Sequence, residues 1–215
     1  MTAVAIDGPA AAGKSTVARA VADALGYAYL DTGALYRAVT LAALERGIDV
    51  TDGATLADLV RSVSLRPSGA QLYLDEAEIT QDIRRRDVTA AVSVVSAHPQ
   101  VRGALLDLQR AVAESGDVVM EGRDIGTKVL PDADVKVFLT ATLDERTSRR
   151  ARELGVEAEE MDELRSTIAS RDSYDSSRRE SPLSRAPDAI AIDTTGKSIN
   201  EVVAEVVSLV AEVVS

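Results

Sequence analysis

The chain has 215 residues, a formal net charge of −11, 46% hydrophobic residues and no cysteine. This length suits one sizeable core with an inserted subdomain, and the missing cysteine excludes disulfides and thiolate metal sites. The negative charge argues against a nucleic-acid partner. The sequence contains no run of about 18 apolar residues, so it predicts no membrane span. Because the N-terminus also lacks a basic region followed by an apolar segment, the sequence favours a cytoplasmic enzyme.

The first segments of the chain form a nucleotide-binding pattern. Residues 2–6 are an apolar run typical of a buried strand, and apolar residues recur at helical spacing over 17–25. Between them, residues 8–15 read GPAAAGKS and match G-x-x-x-x-G-K-[ST] at every fixed position. A loop that leads into a helix N-terminus presents backbone N–H groups to polyphosphate. The order of strand, loop and helix therefore predicts a nucleoside triphosphate site.

Each fixed residue of this loop has a physical role. The two glycines permit close backbone approach, Lys14 neutralises the β- and γ-phosphates, and the hydroxyl of Ser15 can ligate Mg²⁺. The predicted binding residues are Gly8, Pro9, Ala10, Ala11, Ala12, Gly13, Lys14, Ser15 and Thr16, with Ser15 as the metal ligand.

Strand and helix patterns alternate along most of the chain. Further strands are predicted at 27–31, 118–121, 135–139 and 189–193, and helices at 101–114, 143–154 and 199–214. This alternation predicts an α/β fold with a parallel sheet covered by helices on both faces. Ligands of such sheets bind beyond the C-terminal strand ends, which here carry Asp7, Asp31, Glu121 and Asp193.

Two segments depart from this alternation. Residues 47–98 predict an inserted subdomain, in which 63–66 and 71–74, joined by Pro-Ser-Gly-Ala, are typical of a β-hairpin and 87–97 are helical. Residues 153–165 are strongly acidic and predict a solvated helical flap.

Two motifs at strand ends suggest a second ligand. Thr32 follows a strand and is expected to be the N-cap of a helix that carries Arg37. Taken alone, this pattern better fits a capped helix with a surface arginine. The strand ending at Glu121 leads into Gly-Arg-Asp-Ile-Gly, which places Arg123 and Asp124 on a loop at the ligand-binding edge of the sheet. A paired arginine and aspartate at this edge favours a functional role over a structural one.

Arginine is concentrated in a later segment, with nine of them between residues 146 and 185. Arg171, Asp175 and Arg178 are spaced four and three residues apart, which predicts a shared helix face. The alternative is a ladder of weak intrahelical salt bridges. We accept that alternative for Arg152, Arg165 and Arg179.

These residues indicate the kind of acceptor. A kinase that phosphorylates a hydroxyl usually needs a base to take its proton. An acceptor phosphate is already ionised near pH 7 and needs arginines to hold it. The one histidine, His98, precedes a proline in a predicted loop, and we assign it no catalytic role. The pattern therefore favours a phosphate as the acceptor.

Four ordered motifs, IDGPAAAGKST, LDTGALYR, EGRDIGTKVLPDA and RDSYDSSRRESPL, resemble the bacterial cytidylate kinase family over essentially the whole chain. The resemblance implies an α/β nucleoside monophosphate kinase fold with a five-stranded parallel sheet. It implies a core of residues 1–31, 103–145 and 186–215, a monophosphate-binding domain of residues 32–102 and a lid of residues 146–185. The implied reaction transfers phosphate from ATP to CMP or dCMP, giving CDP or dCDP, with Mg²⁺.

The resemblance also implies residue roles. Residues 8–16 hold ATP, with Arg146 and Arg150 as weaker candidates and residues 193–197 against adenine. The acceptor phosphate is bound by Thr32, Arg37 and Arg123, and cytosine by Ser93, Arg102, Arg123 and Asp124. Tyr36, Arg171 and Asp175 lie near the sugar, and Arg178 reaches the phosphates. The expected catalytic residues are Lys14, Arg37, Arg123 and Arg178.

Other classes of phosphate-loop protein remain alternatives to this interpretation. An adenylate, thymidylate or shikimate kinase shares the loop, and an acceptor panel separates these enzymes. A GTPase switch needs an N-K-x-D motif, which the sequence lacks. A transport or remodelling ATPase needs partner-facing domains for which this length leaves no room. A monomer is the default expectation.

Overall fold

The computed structural model describes residues 1–214, which form eight strands and eight helices. The strands are β1 (Ala3–Asp7), β2 (Ala28–Asp31), β3 (Leu65–Ser68), β4 (Gln71–Leu74), β5 (Ala77–Glu78), β6 (Val118–Gly122), β7 (Val135–Thr140) and β8 (Ile190–Asp193). The helices are α1 (Lys14–Leu25), α2 (Thr32–Glu45), α3 (Gly53–Ser62), α4 (Arg86–Ala97), α5 (Pro99–Glu114), α6 (Leu143–Leu154), α7 (Met161–Ser177) and α8 (Ile199–Val214).

The chain divides into two compact units. The first contains residues 1–27 and everything described from residue 117 onward, and the second is Ala28–Gly116. The three-part division expected from the family, with a lid at 146–185, stays a prediction.

A five-stranded sheet has the order β2-β6-β1-β7-β8. Within the first unit, β1 pairs in parallel with β6 and β7, and β7 pairs in parallel with β8. The apolar side chains of β1 and β6 are almost entirely buried, as expected for central strands covered on both faces. The α/β fold with a five-stranded parallel sheet is confirmed.

The second unit contains a small antiparallel sheet of order β3-β4-β5. Ser68 pairs with Gln71 across a tight turn in which Gly69 has φ +57°, a conformation that glycine adopts without strain. The predicted hairpin is therefore present, although its first strand begins at Leu65 rather than at residue 63. The short strand β5 extends it.

One local expectation was wrong. The N-cap of α2 is Asp31, whose carboxylate accepts the N–H of Ala34, and Thr32 is the first helical residue. The strand-end carboxylate already reaches the first helical turn, so the hydroxyl is not needed as a cap. The acidic segment 153–165 is largely exposed, and its helical structure is interrupted: α6 ends at Leu154, Gly155 follows with φ +66°, and a single 3₁₀ turn precedes α7.

No helix in the described part of the chain combines the length and apolar composition needed to cross a bilayer.

Candidate active site

The phosphate loop connects β1 to α1 and owes its shape to close backbone packing. Gly8 has φ +152°, and a Cβ built there would lie 2.1 Å from the carbonyl oxygen of Leu139 in β7. Gly13 caps α1 in the left-handed conformation, with φ +90°. Ala11 also has a positive φ, +58°, which costs an L residue about 1–2 kcal/mol. The loop is therefore held tightly against the sheet and includes one strained alanine.

Lys14 is buried, and its ammonium donates to the carbonyl of Pro9 at 2.8 Å. Burial, and then the positive charge of Arg123, lower the pKa of Lys14 from 10.5 to about 7. Glu121 opposes this shift, whereas Arg171 adds to it. The first unit thus brings Lys14 into the electrostatic range of two predicted acceptor-site arginines.

Asp7, at the end of β1, holds the segment that follows Arg123 and Asp124. Its two carboxylate oxygens accept the N–H groups of Ile125 and Gly126, each at 2.8 Å. These residues begin a π turn, Ile125–Val129. Burial raises the pKa of Asp7 to about 6 despite these two donors. A carboxylate in β1 therefore fixes the backbone immediately after Asp124, which is itself buried.

Asp175 lies between two predicted phosphate-binding arginines. One of its oxygens is 3.0 Å from Nε of Arg123, and the other is 3.0 Å from Nη2 of Arg178. The helix ends at Ser177, so Arg178 lies just beyond the helix face on which it was expected. The helix stops because the carbonyl of Asp175 accepts the N–H of Leu183 at 2.9 Å. The structure thus brings Arg123, Asp175 and Arg178 together despite that wrong boundary.

Helices α6 and α7 also contact the phosphate loop, through residues that the sequence analysis missed or assigned to another role. Asp172 accepts the N–H of Ala10 at 2.9 Å and forms an ion pair with Arg146, which donates to the carbonyl of Ala10 at 3.1 Å. Arg146 is therefore engaged with the loop backbone. Asp172 lies three residues before Asp175, and this shared-face spacing was the available signal.

Arg149 is a second missed residue. Its guanidinium donates to the hydroxyl of Thr194 at 2.9 Å and to the Thr194 carbonyl at 2.6 Å, and it reaches the carbonyl of Ala12 at 3.4 Å. The predicted adenine-side loop, 193–197, is thereby tied to the phosphate loop. Arg150, one of the two lid arginines predicted to contact ATP, forms an ion pair with Glu153 at 2.8 Å.

In the second unit, two of the predicted monophosphate-site arginines hydrogen-bond to residues of α4. Arg37 donates to the hydroxyl of Thr89 at 2.9 Å. Arg102 donates to the carbonyl of Ser96 at 3.1 Å, and its guanidinium lies 5.2 Å from the ring centre of Tyr36. Because Thr89 and Ser93 are four residues apart in α4, their side chains lie on the same face of that helix. Ser93 thus lies between the two arginine-contacted positions, and Thr32 is buried at the start of α2.

Comparison with known proteins assigns the chain to a family. The family model described as cytidylate kinase matches residues 4–212. The chain belongs to the cytidylate kinase family. It is 50% identical to a cytidylate kinase of Exiguobacterium sibiricum over 96% of this chain and 95% of the relative. It is 49% identical to one of Geobacillus kaustophilus over 97% and 96%.

Solved structures with distant sequences have the same fold. A gluconokinase from Sinorhizobium meliloti aligns over 98% of this chain and 92% of its own, with a TM-score of 0.51 at 18% identity. An uncharacterized protein from Eubacterium ventriosum aligns over 98% and 99%, with a TM-score of 0.54 at 13% identity. These likenesses concern the fold alone, whereas the sequence matches confirm the cytidylate kinase resemblance.

Magnesium is the metal that a kinase of this family implies, and the loop residues fit it. Mg²⁺ usually takes one or two protein oxygens and fills its other positions with phosphate oxygens and water. Ser15 lies in the first turn of α1 with an exposed side chain, next to Lys14. Within residues 1–214, no group of three or more His, Asp or Glu side chains could form a separate metal site. Ser15 therefore stays the predicted protein ligand.

The lowered pKa of Lys14 predicts proton uptake when MgATP binds. With a pKa of about 7 in the free protein, Lys14 is mostly a neutral amine at pH 8, and adjacent phosphate favours the ammonium. We expect uptake of about 0.9 proton per MgATP at pH 8 and about 0.1 at pH 6. Calorimetric titrations in buffers of different ionisation enthalpy measure this number.

The matched control for this titration is Lys14→Arg, whose guanidinium is already charged at both pH values. Its binding enthalpy should not depend on the buffer at pH 8. Equal binding enthalpies for the wild type in all buffers at pH 8 would show that the ammonium is already charged in the free protein.

Proposed function

We propose that the protein transfers the γ-phosphoryl group of ATP to CMP and dCMP, producing ADP with CDP or dCDP. The observation that carries this proposal is identity of about half over nearly the whole length to curated cytidylate kinases. The complete phosphate loop and the arginines proposed to bind phosphate would supply the chemistry that this reaction needs.

For the donor, we propose that residues 8–16 bind the ATP phosphates, with Lys14 on the β- and γ-oxygens. Arg146 and Arg150 are retained as proposed lid contacts, although Arg146 acts at least in part through the loop backbone. Bound Mg²⁺ would supply positive charge to the ATP phosphates and so reduce their repulsion of the acceptor. The exposed hydroxyl of Ser15 is its proposed protein ligand.

For the acceptor, each unit supplies proposed binding residues. The second unit contributes Thr32, Tyr36, Arg37, Ser93 and Arg102, and the first contributes Arg123, Asp124, Arg171, Asp175 and Arg178. Contacts within each unit support these roles. In the second unit, Arg37 and Arg102 hydrogen-bond to residues of α4, and in the first unit, Arg123 and Arg178 pair with the buried carboxylate of Asp175.

The proposed chemistry consists of positioning and charge neutralisation. The acceptor oxygen belongs to a phosphate that is already ionised near pH 7, so no base is required. The one histidine, His98, is not proposed as a base, and its Nε2 is hydrogen-bonded to the carbonyl of Val50 at 2.9 Å. Lys14, Arg37, Arg123 and Arg178 are proposed to stabilise the charge of the transferring group, as cationic side chains do in phosphoryl transfer. Closure of the lid would exclude water and limit ATP hydrolysis.

Asp124 is proposed to recognise the amino group of cytosine. A carboxylate accepts a hydrogen bond from N4 of cytosine, whereas uracil presents a carbonyl oxygen at that position. A mismatched buried polar pair costs about 1–3 kcal/mol. Asp124→Asn is therefore expected to reduce the CMP/UMP ratio of kcat/KM by about tenfold to a hundredfold, measured in a coupled ADP assay. An unchanged ratio in a folded variant would remove this role from Asp124.

The assay that tests the function compares CMP, dCMP, UMP, AMP, dTMP and shikimate as acceptors at saturating MgATP. We expect CMP and dCMP to give the highest kcat/KM. Preference for AMP, dTMP or shikimate would instead support one of the other phosphate-loop kinases. A cytoplasmic location and a monomeric state belong to the same proposal, and size-exclusion chromatography with light scattering tests the second.

A further inference from the structure

We propose that Arg146 and Asp172 are positioning residues that hold a strained segment of the phosphate loop in its ATP-binding shape. This inference deepens the proposed function and rests on it. The two residues come from helices α6 and α7, and both hydrogen-bonding groups of one loop residue, Ala10, are bound by this pair. We call the pair, together with Ala10, the loop brace.

The contacts of the loop brace are reciprocal. One carboxylate oxygen of Asp172 accepts the N–H of Ala10 at 2.9 Å, and the other pairs with Nη1 of Arg146. The same Nη1 donates to the carbonyl of Ala10 at 3.1 Å, while Nε donates to the carbonyl of Ala141 at 3.1 Å. Only about a tenth of the Arg146 side chain is exposed. Its geometry is therefore fixed by three partners, the carboxylate of Asp172 and the carbonyls of Ala10 and Ala141.

The position of Ala10 explains what the brace accomplishes. The carbonyl of Ala10 belongs to the peptide that joins it to Ala11, and the orientation of this peptide sets φ of Ala11. That φ is +58°, in the left-handed region that L residues with a Cβ avoid. If the peptide were free, it could rotate and let Ala11 return to a favourable conformation. The Arg146 hydrogen bond opposes this rotation.

The loop shape matters because ATP binds to its backbone. The N–H groups after Ala11 lead directly into Gly13 and Lys14 at the start of α1, where polyphosphate is expected. Rotation of the peptide before Ala11 would turn its N–H away from the phosphates. Arg146 and Asp172 therefore act on ATP through the loop, so their loss should weaken ATP binding more than CMP binding.

Asp172→Ala tests the proposal by calorimetric titration with MgATP. We expect the Kd for MgATP to rise about tenfold, as loss of hydrogen bonds to charged groups predicts, while the KM for CMP stays within about twofold of the wild type. Ser173→Ala is the matched control, because Ser173 is the next residue in α7 and is exposed. Its Kd for MgATP should equal that of the wild type.

The role of strain is tested by repeating Asp172→Ala in an Ala11→Gly background. Glycine adopts a positive φ without strain, so the loop should then need less support. We expect the penalty on the Kd for MgATP to fall from about tenfold to about threefold or less, a coupling read from the double-mutant cycle. An equal penalty in both backgrounds would overturn the claim that the brace holds Ala11.

Arg146→Lys covers the case in which Asp172→Ala does not fold. Lysine keeps the charge but lacks the planar fork that contacts Asp172 and two carbonyls together, and we again expect a weaker Kd for MgATP. Normal MgATP affinity in a folded Asp172→Ala or Arg146→Lys protein would overturn the proposal. If the wild type instead bound MgATP but phosphorylated neither CMP nor dCMP, the proposed function would be wrong. The MgATP affinities of the variants would still show whether the loop brace supports ATP binding.

Discussion

Lys14→Met is expected to lower kcat/KM for CMP phosphorylation by about a thousandfold, because it removes a preorganised charge from the transferring phosphoryl group. The ammonium of Lys14 is fixed at 2.8 Å from the carbonyl of Pro9 and is shielded from water. Methionine fills a similar volume without charge. Steady-state kinetics measure the loss, and Arg61→Gln is the matched control because Arg61 is an exposed cation of α3 that pairs with Asp58.

The same variant should not lose stability, which separates a functional role from a structural one. Burial lowers the pKa of Lys14 in the folded protein from 10.5 to about 7. Between these pH values the unfolded chain binds a proton at Lys14 that the folded protein does not, so the free energy of unfolding decreases as pH falls from 10.5 toward 7. Lys14→Met removes this penalty. We expect its Tm to exceed that of the wild type, and the difference in Tm to grow as pH falls from 10.5 toward 7. A Tm well below the wild type would indicate that Lys14 supports the fold.

Gly8→Ala is expected to reduce ATP-dependent turnover by at least about a hundredfold, since the loop backbone that cradles phosphate would be displaced. The new Cβ would lie 2.1 Å from the carbonyl oxygen of Leu139, a backbone atom of a central strand that cannot move aside cheaply. Such overpacking should also lower the free energy of unfolding by about 1–3 kcal/mol. Kinetics and denaturant unfolding of the same preparation measure both effects.

Gly26→Ala is the matched control for that substitution. Gly26 also has a positive φ, +71°, but a Cβ there meets nothing within 4 Å. It should lose about 1 kcal/mol of stability from strain and keep wild-type kinetics. Wild-type turnover in Gly8→Ala, or comparable kinetic losses in both variants, would contradict the role of the tight loop packing.

The sheet and the phosphate loop were predictable because short-range patterns determine them. Buried parallel strands appear in the sequence as apolar runs, and the loop requires particular residues at fixed spacing. Element boundaries were less predictable. Asp31 and Thr32 are both suitable N-caps, and the choice depends on where β2 ends. Arg178 lies beyond α7 because the carbonyl of Asp175, which would accept a helical hydrogen bond if α7 continued, instead accepts the N–H of Leu183.

The contacts that support the candidate site could not be derived from spacing alone. Arg146 and Asp172 are 26 residues apart, and nothing in a sequence rich in charged residues says which of many arginines meets which acid. The positive φ of Ala11 could not be predicted either, because alanine rarely adopts this conformation and the motif does not specify the residue at this position. Burial has the same dependence on tertiary structure: the pKa of Asp7 rises to about 6 only because strands and loop enclose it.

Transfer of labelled phosphate in a single turnover tests the central claim most directly. Excess enzyme is mixed with Mg²⁺ and ATP labelled in the γ-phosphoryl group, with CMP present or absent, and the products are separated. We predict that the label appears in CDP when CMP is present and stays in ATP when it is absent. Label released as inorganic phosphate at the same rate with or without CMP would contradict the assignment.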